Sequence, residues 1–150
     1  VSSANDCACA MAEHLAGSEE DFSCLMNDKA DAIGMTQTNF VTASGLDSKE
    51  HYSTAYDMAL LGAYAIENPL FSEICSAKTK RIEFIEPSIV RTFSNHNRLI
   101  SMCDGVFGIK TGFTKKSGNT FRYSIATKDK ISRLRLTIAN TITRKKIPSE

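Results

Sequence analysis

The spacing of apolar residues changes once along this chain, near Ser76, and this change restricts the folds that the chain can adopt. Before Ser76, apolar residues recur every three or four positions, as in amphipathic helices. After it, they alternate with polar residues, as in half-buried strands. Because the helices come first and no helical pattern separates the strands, the order predicts an α+β fold with an antiparallel sheet.

The predicted helical subdomain spans residues from about 2 to 75. Its first helix carries Cys7, Met11 and Leu15 at spacings of four, with Asn5 or Asp6 as its cap. Residues that cap helices indicate three further helix starts: Ser18, Thr54 and Asn68.

The predicted sheet region spans residues from about 76 to 140, and residues 141–150 form a basic tail. Five segments have the apolar pattern of strands: 82–84, 89–93, 106–111, 121–125 and 134–138. All of them are expected to pair with antiparallel neighbours, because no helical crossover joins them.

Charge and composition weigh against several kinds of function. The net charge is +1, so no strong field favours nucleic acid or an anionic membrane. No apolar run approaches the roughly 20 residues that a membrane span needs. The three histidines have no metal-ligand spacing, so we expect neither a metal nor a cofactor. The cysteines are odd in number and lack a Cys-x-x-Cys pair, so we expect free thiols: Cys7, Cys9, Cys24, Cys75 and Cys103.

Two short motifs carry the chemistry. Ser3-Ala4-Asn5 stands immediately before the first predicted helix, and Lys110-Thr111-Gly112 ends a predicted strand. Either motif alone is common, since Ser-x-Asn caps many helices and Lys-Thr-Gly fits many strand ends. Their order and spacing together match the active-site set of penicillin-binding proteins and class A β-lactamases, which is Ser-x-x-Lys, Ser-x-Asn and Lys-Thr-Gly.

Three longer segments extend this match: 51–57, 95–99 and 104–114. They are characteristic of serine-type D-alanyl-D-alanine carboxypeptidases, the low-molecular-mass penicillin-binding proteins, which the chain resembles from about residue 2 to Gly118. The resemblance implies a partial penicillin-binding-protein/β-lactamase-like transpeptidase fold. It also implies that residues 1–150 are part of one catalytic domain.

The resemblance further implies roles for three catalytic residues. Ser3 would place its hydroxyl between a lysine base and the leaving nitrogen and relay the proton. Asn5 would hold the substrate amide and orient the catalytic lysine. Lys110 would face the terminal carboxylate of the substrate.

The substrate-binding residues implied by the resemblance surround Lys110. Thr111 would add a hydroxyl to the same carboxylate, and Gly112 would let the substrate lie against the strand. The backbone N–H of Phe113 would supply one oxyanion donor.

The sequence departs from the family pattern at two places. No serine is followed by lysine three residues later, so we expect the nucleophile and the base to lie in a segment before Val1 and this chain alone to be inactive. After Gly118, Arg122, Arg133 and Arg135 stand where relatives carry an apolar strand. These arginines lie on a solvent face or mark an altered reading frame, and the sequence leaves both interpretations open.

The expected function is removal of the terminal D-Ala from peptidoglycan stem peptides through an acyl-enzyme, with β-lactams as inhibitors. This function implies an envelope location outside the cytoplasm, with any membrane contact made by segments outside these residues. The alternative from another class is a non-catalytic remnant or a pseudoenzyme that binds muropeptides or β-lactams. A β-lactamase fits less well, because no segment resembles the loop that carries the deacylating glutamate.

Overall fold

The computed structural model describes residues 1–112, 123–125 and 137–139. Five helices occur among these residues: α1 (Asn5–Ala16), α2 (Glu19–Ala32), α3 (Ala55–Ala65), α4 (Pro69–Ser76) and α5 (Leu99–Met102). Four strands accompany them: β1 (Thr79–Phe84), β2 (Ile89–Ser94), β3 (Tyr123–Ile125) and β4 (Thr137–Ala139). Helices α1 to α4 precede β1, which confirms the α+β class. The prediction that no helix separates the strands is wrong, because α5 lies between β2 and β3. This helix has a single turn, which is too short to show a helical spacing of apolar residues.

Three of the predicted helix starts are confirmed by side-chain caps. Ser18 Oγ and Thr54 Oγ1 each accept a hydrogen bond from the backbone N–H three residues later, at 2.9 and 3.1 Å. Asn68 Oδ1 accepts from two backbone N–H groups at 3.0 and 3.2 Å, and Pro69 occupies the first helical position. These caps are local in sequence, which is why the pattern of residues predicts them.

The predicted cap of α1 is wrong. Neither Asn5 nor Asp6 precedes the helix, because both lie within it. The residue at the cap position is Ala4, whose methyl group cannot accept a hydrogen bond. The side chain of Asp6 instead accepts from the N–H of Cys7 at 2.9 Å.

The loop between α2 and α3 is fastened to the start of α3 by the buried carboxylate of Asp57. This side chain is 1% exposed and accepts hydrogen bonds from the Gln37 N–H at 2.8 Å and the Thr38 hydroxyl at 2.7 Å. A single antiparallel bridge between Asn39 and Tyr52 joins the two arms of the same loop. The loop is therefore a fixed part of the helical region.

The loop between α2 and α3 is also held by α2. Asn27 and Phe40 exchange two hydrogen bonds, from Asn27 Nδ2 to the Phe40 carbonyl at 2.8 Å and from the Phe40 N–H to Asn27 Oδ1 at 2.7 Å. Glu19 accepts from the Ala43 N–H at 2.9 Å. Because the loop satisfies its backbone groups through side chains, it needs no regular secondary structure.

The strands form two antiparallel pairs. In the first, β1 pairs with β2 from Thr79 opposite Ser94 to Phe84 opposite Ile89. In the second, β3 pairs with β4 from Tyr123 opposite Ala139. Both pairs agree with the predicted antiparallel arrangement.

Of the predicted strand at 106–111, Val106 forms a β-bridge, and residues 107–111 are not part of a strand. Its Gly108 carbonyl accepts a hydrogen bond from the Asn97 side chain at 3.0 Å, so a side chain takes the acceptor that a neighbouring strand would use. None of the helices described here combines the length and the apolar character that crossing a membrane requires.

Candidate functional site

Ser3, Lys110 and Thr111 line one cavity of about 200 Å³, although Ser3 and Lys110 are more than a hundred positions apart in the sequence. We call it the Lys110 cavity. Its apolar wall includes Phe71 and Ile74 from α4. The structure therefore brings together one residue from each of the two motifs that the sequence singled out.

Ser3 has an unusual backbone conformation at the edge of the Lys110 cavity. Its φ is 57°, in the left-handed region that residues other than glycine adopt rarely. Such a conformation costs on the order of 1–2 kcal/mol and tends to occur at functional sites. This strain supports a functional interpretation of Ser3.

Asn5 is not among the residues that line the Lys110 cavity. It is the first residue of α1, and it is exposed. The predicted role of Asn5 at the substrate amide therefore stays a prediction. Gly112 is described and exposed but does not line the cavity either, and Phe113 lies outside the described residues.

The side chain of Asn97 holds the segment that carries Lys110 through a hydrogen bond. This side chain is 2% exposed, and its Nδ2 donates to the carbonyl of Gly108, two residues before Lys110. Its Oδ1 accepts from the Leu99 N–H at 3.2 Å, which uses the other end of the amide. Asn97 therefore joins the start of α5 to the Lys110 segment.

Asn95 fastens the same region to the end of α4. Its Nδ2 donates to the carbonyls of Cys75 at 3.1 Å and Ala77 at 3.0 Å. Gly108 also packs against Cys75, since a Cβ built on Gly108 would lie 3.4 Å from the Cys75 Cβ. The end of α4 thus contacts the residues around the Lys110 cavity in two ways, through the Asn95 side chain and through the packing of Cys75 against Gly108.

The side chain of Lys110 is exposed overall, but its ammonium group is partly desolvated by the cavity wall. Desolvation by burial lowers the pKa of Lys110, and the neighbouring Cys75 opposes this shift through its charge interaction. Burial in turn raises the pKa of the Cys75 thiol. Lys110 Nζ also donates to the carbonyl of Thr111. A partly desolvated cation of this kind gains from contact with an anion, because the anion replaces water as its partner.

The charges of the Lys110 cavity favour an anionic ligand. Among the described residues that line it, Lys110 is a cation and no side chain is a carboxylate. The hydroxyls of Ser3 and Thr111 add hydrogen-bonding groups at the same wall. The arrangement suits a small ligand that carries a carboxylate and an adjacent amide.

Two residues of the Lys110 cavity with ionisable side chains lie outside both motifs. These are His96 and Cys75, and neither belongs to Ser-x-Asn or Lys-Thr-Gly. The sequence held one signal for His96, since it stands between the two asparagines of the segment 95–99.

Comparison with known proteins identifies similar chains. A sequence profile described as D-alanyl-D-alanine carboxypeptidase matches residues 1–141. The D-alanyl-D-alanine carboxypeptidase DacF of Bacillus subtilis is 37% identical over 116 residues, which is 76% of this chain and 29% of DacF. The D-alanyl-D-alanine carboxypeptidase DacC of Escherichia coli is 40% identical over 119 residues, which is 79% of this chain and 28% of DacC.

Solved structures agree with the sequence comparison. Penicillin-binding protein D2 from Listeria monocytogenes, in its ampicillin-bound form, superposes with a TM-score of 0.68 at 34% identity. The match covers 83% of this chain and 48% of that structure. The chain thus spans less than a third of the two curated relatives and about half of the solved one.

Proposed function

Because this chain belongs to the D-alanyl-D-alanine carboxypeptidase family, peptidase family S11, we propose that it is part of a serine-type D-Ala-D-Ala carboxypeptidase. The reaction removes the terminal D-Ala from peptidoglycan stem peptides. The observation that carries this proposal is that Ser3, Lys110 and Thr111 line one cavity. A substrate that ends in D-Ala-D-Ala offers both a carboxylate and an amide to these groups.

In the proposed complex, the terminal carboxylate lies against Lys110 Nζ and the Thr111 hydroxyl. The Ser3 hydroxyl lies at the scissile amide and passes a proton to the leaving nitrogen, while Asn5 holds the substrate amide. The backbone of Gly112 lies along the substrate, and the Phe113 N–H donates to the oxyanion. Of these residues, Lys110 carries the specificity, because a cation discriminates strongly between a free carboxylate and a neutral end.

The nucleophile and the general base are not among these 150 residues. No serine here is followed by lysine three positions later, and acyl transfer in this family uses a Ser-x-x-Lys pair. We therefore assign attack on the penultimate carbonyl to a serine outside residues 1–150. This chain supplies the proton relay and the carboxylate site.

The proposed substrate sets the partners and the location. Stem peptides are reached outside the cytoplasm, so we assign the whole protein to the bacterial cell envelope. We also expect β-lactams to inhibit it, since the related Listeria protein is known in an ampicillin-bound form. Any attachment to a membrane is assigned to segments outside these residues.

The missing Ser-x-x-Lys supports a second candidate function, a pseudoenzyme that binds muropeptides or β-lactams without cleaving them. Such a protein keeps the carboxylate site and lacks covalent chemistry. The two candidates differ in one product, free D-alanine.

The test measures D-alanine released from diacetyl-L-Lys-D-Ala-D-Ala by the complete product of the gene. We expect release by the wild type, a large loss in Ser3→Ala, and release close to wild type in the surface variant Asp28→Asn. Binding of the peptide without release of D-alanine by the wild type would establish the pseudoenzyme instead.

A further inference from the structure

His96 lies between Asn95 and Asn97, whose side chains both form hydrogen bonds to the backbone. Asn95 donates to the carbonyls of Cys75 and Ala77, and Asn97 donates to that of Gly108. The backbone of the 95–97 segment is therefore fixed on both sides of His96. As a result, His96 is held at the wall of the Lys110 cavity.

The imidazole of His96 is available to a ligand. The side chain is exposed, and within the described part of the chain it makes no hydrogen bond or ion pair. In either protonation state an imidazole has at least one N–H donor. His96 thus presents an N–H donor to the cavity that Lys110 also lines, and no carboxylate of the described lining competes for it.

His96 and Lys110 line the same cavity, so one ligand can contact both side chains. The volume of about 200 Å³ has room for a small anionic group. An anion bound there can accept from Lys110 and from the His96 N–H, directly or through a water molecule. Both donors can therefore act on one anionic group.

We propose that His96 is a substrate-binding residue, which donates a hydrogen bond to the terminal carboxylate of a D-Ala-D-Ala peptide held by Lys110. This inference rests on the proposed function and adds a specificity-determining residue to it. The donor, not the ring shape, is the feature that matters. Replacement by glutamine, which keeps a donor, is therefore expected to retain binding better than replacement by phenylalanine, which keeps a ring.

The experiment titrates the 150-residue chain with diacetyl-L-Lys-D-Ala-D-Ala and with its C-terminal amide, and follows Kd by NMR. For the carboxylate peptide, we expect His96→Ala and His96→Phe to bind about tenfold more weakly than the wild type. We expect His96→Gln to lie within about threefold of the wild type. All four proteins are expected to bind the amide with similar, weak affinity.

The matched control is His14→Ala, because His14 is exposed in the last turn of α1 and does not line the cavity. We expect this variant to bind both peptides as the wild type does. Circular dichroism checks that each variant is folded, and the amide series separates lost recognition from general damage.

Unchanged carboxylate binding in folded His96→Ala would overturn the role of His96 and leave the proposed function in place. Equal loss in His96→Gln and His96→Phe would also overturn it, because the donor would then be irrelevant. If the wild type binds neither peptide at millimolar concentration, the carboxylate site itself is refuted, and the role of His96 with it.

Discussion

The Asn97 side chain donates a 3.0 Å hydrogen bond to the carbonyl of Gly108, two residues before Lys110. This contact ties the candidate carboxylate site to the start of α5, at a point where the backbone has no strand neighbour in residues 1–112. Asn97 is 2% exposed, so water does not compete for the bond. The position of Lys110 therefore depends on a residue that itself does not line the cavity.

We predict that Asn97→Ala weakens both the fold and carboxylate binding. Removing the amide leaves the Gly108 carbonyl and the Leu99 N–H without their partner, which costs about 1–3 kcal/mol of unfolding free energy. Urea denaturation measures this loss, and peptide titration measures the binding.

The control for Asn97 is Asn39→Ala, which removes a 2.7 Å bond from Asn39 Nδ2 to the Glu50 carbonyl in the loop between α2 and α3. It is expected to lower stability and leave affinity for the carboxylate peptide unchanged. If both variants weaken binding equally, then Asn97 acts only through global stability.

Lys110→Ala is predicted to impair binding of free carboxylates much more than binding of masked ones. A charge-assisted hydrogen bond is worth roughly 1.5–3 kcal/mol, which is about one to two orders of magnitude in affinity or in kcat/KM. The measurement compares diacetyl-L-Lys-D-Ala-D-Ala with its C-terminal amide. An equal effect on the two peptides would contradict the assignment of Lys110 to the carboxylate.

The lowered pKa of Lys110 predicts how pH affects binding and stability. Since burial lowers this pKa in the folded state, the folded chain loses the proton at a lower pH than the unfolded chain does. The charged lysine therefore opposes folding below the folded-state pKa. This penalty disappears as pH rises through the folded pKa towards the ordinary value.

We accordingly expect the neutral variant Lys110→Gln to have a higher Tm than the wild type at pH 7. The difference should shrink as pH approaches the ordinary lysine pKa. Carboxylate binding should weaken over the same alkaline range, because the free cavity loses its cation. Thermal melts and peptide titrations across this range test both trends. A Tm in the variant that is lower at pH 7 would contradict the desolvation of Lys110.

Asp57→Ala is predicted to destabilise the chain by about 3 kcal/mol, because it removes the buried carboxylate that accepts from the Gln37 N–H and the Thr38 hydroxyl. Asp57→Asn keeps an acceptor oxygen and should lose less. Asp28, an exposed residue of α2, gives the matched control Asp28→Ala, which should lie within about 0.5 kcal/mol of the wild type. Equal stabilities of the Asp57 and Asp28 variants in urea would refute the role of the buried carboxylate.

Local signals in the sequence predicted helices α1 to α4 well and missed the single-turn helix α5. The caps at Ser18, Thr54 and Asn68 depend on residues two or three positions apart, so the sequence contains the whole interaction. The start of α1 was predicted less well, because polar residues follow one another there and the sequence does not say which one precedes the first helical turn.

Long-range contacts could not be predicted in this way. The acceptor role of Asp57 depends on Gln37, twenty positions earlier, and the bond between Asn97 and Gly108 depends on how α5 meets the Lys110 segment. The place of His96 in the cavity follows from such contacts on both sides of it. The resemblance to a known family identified Ser3 and Lys110 as candidate site residues. The structure shows that they line the same cavity.

The most direct test of the account is covalent labelling with a fluorescent penicillin, read by intact-protein and peptide mass spectrometry. The account predicts a penicilloyl adduct in the complete product of the gene, on a serine outside residues 1–150, and no stable adduct on the 150-residue chain alone. A penicilloyl group on Ser3 or on any other residue of this chain would contradict it, because the chain would then contain the nucleophile that we assign elsewhere.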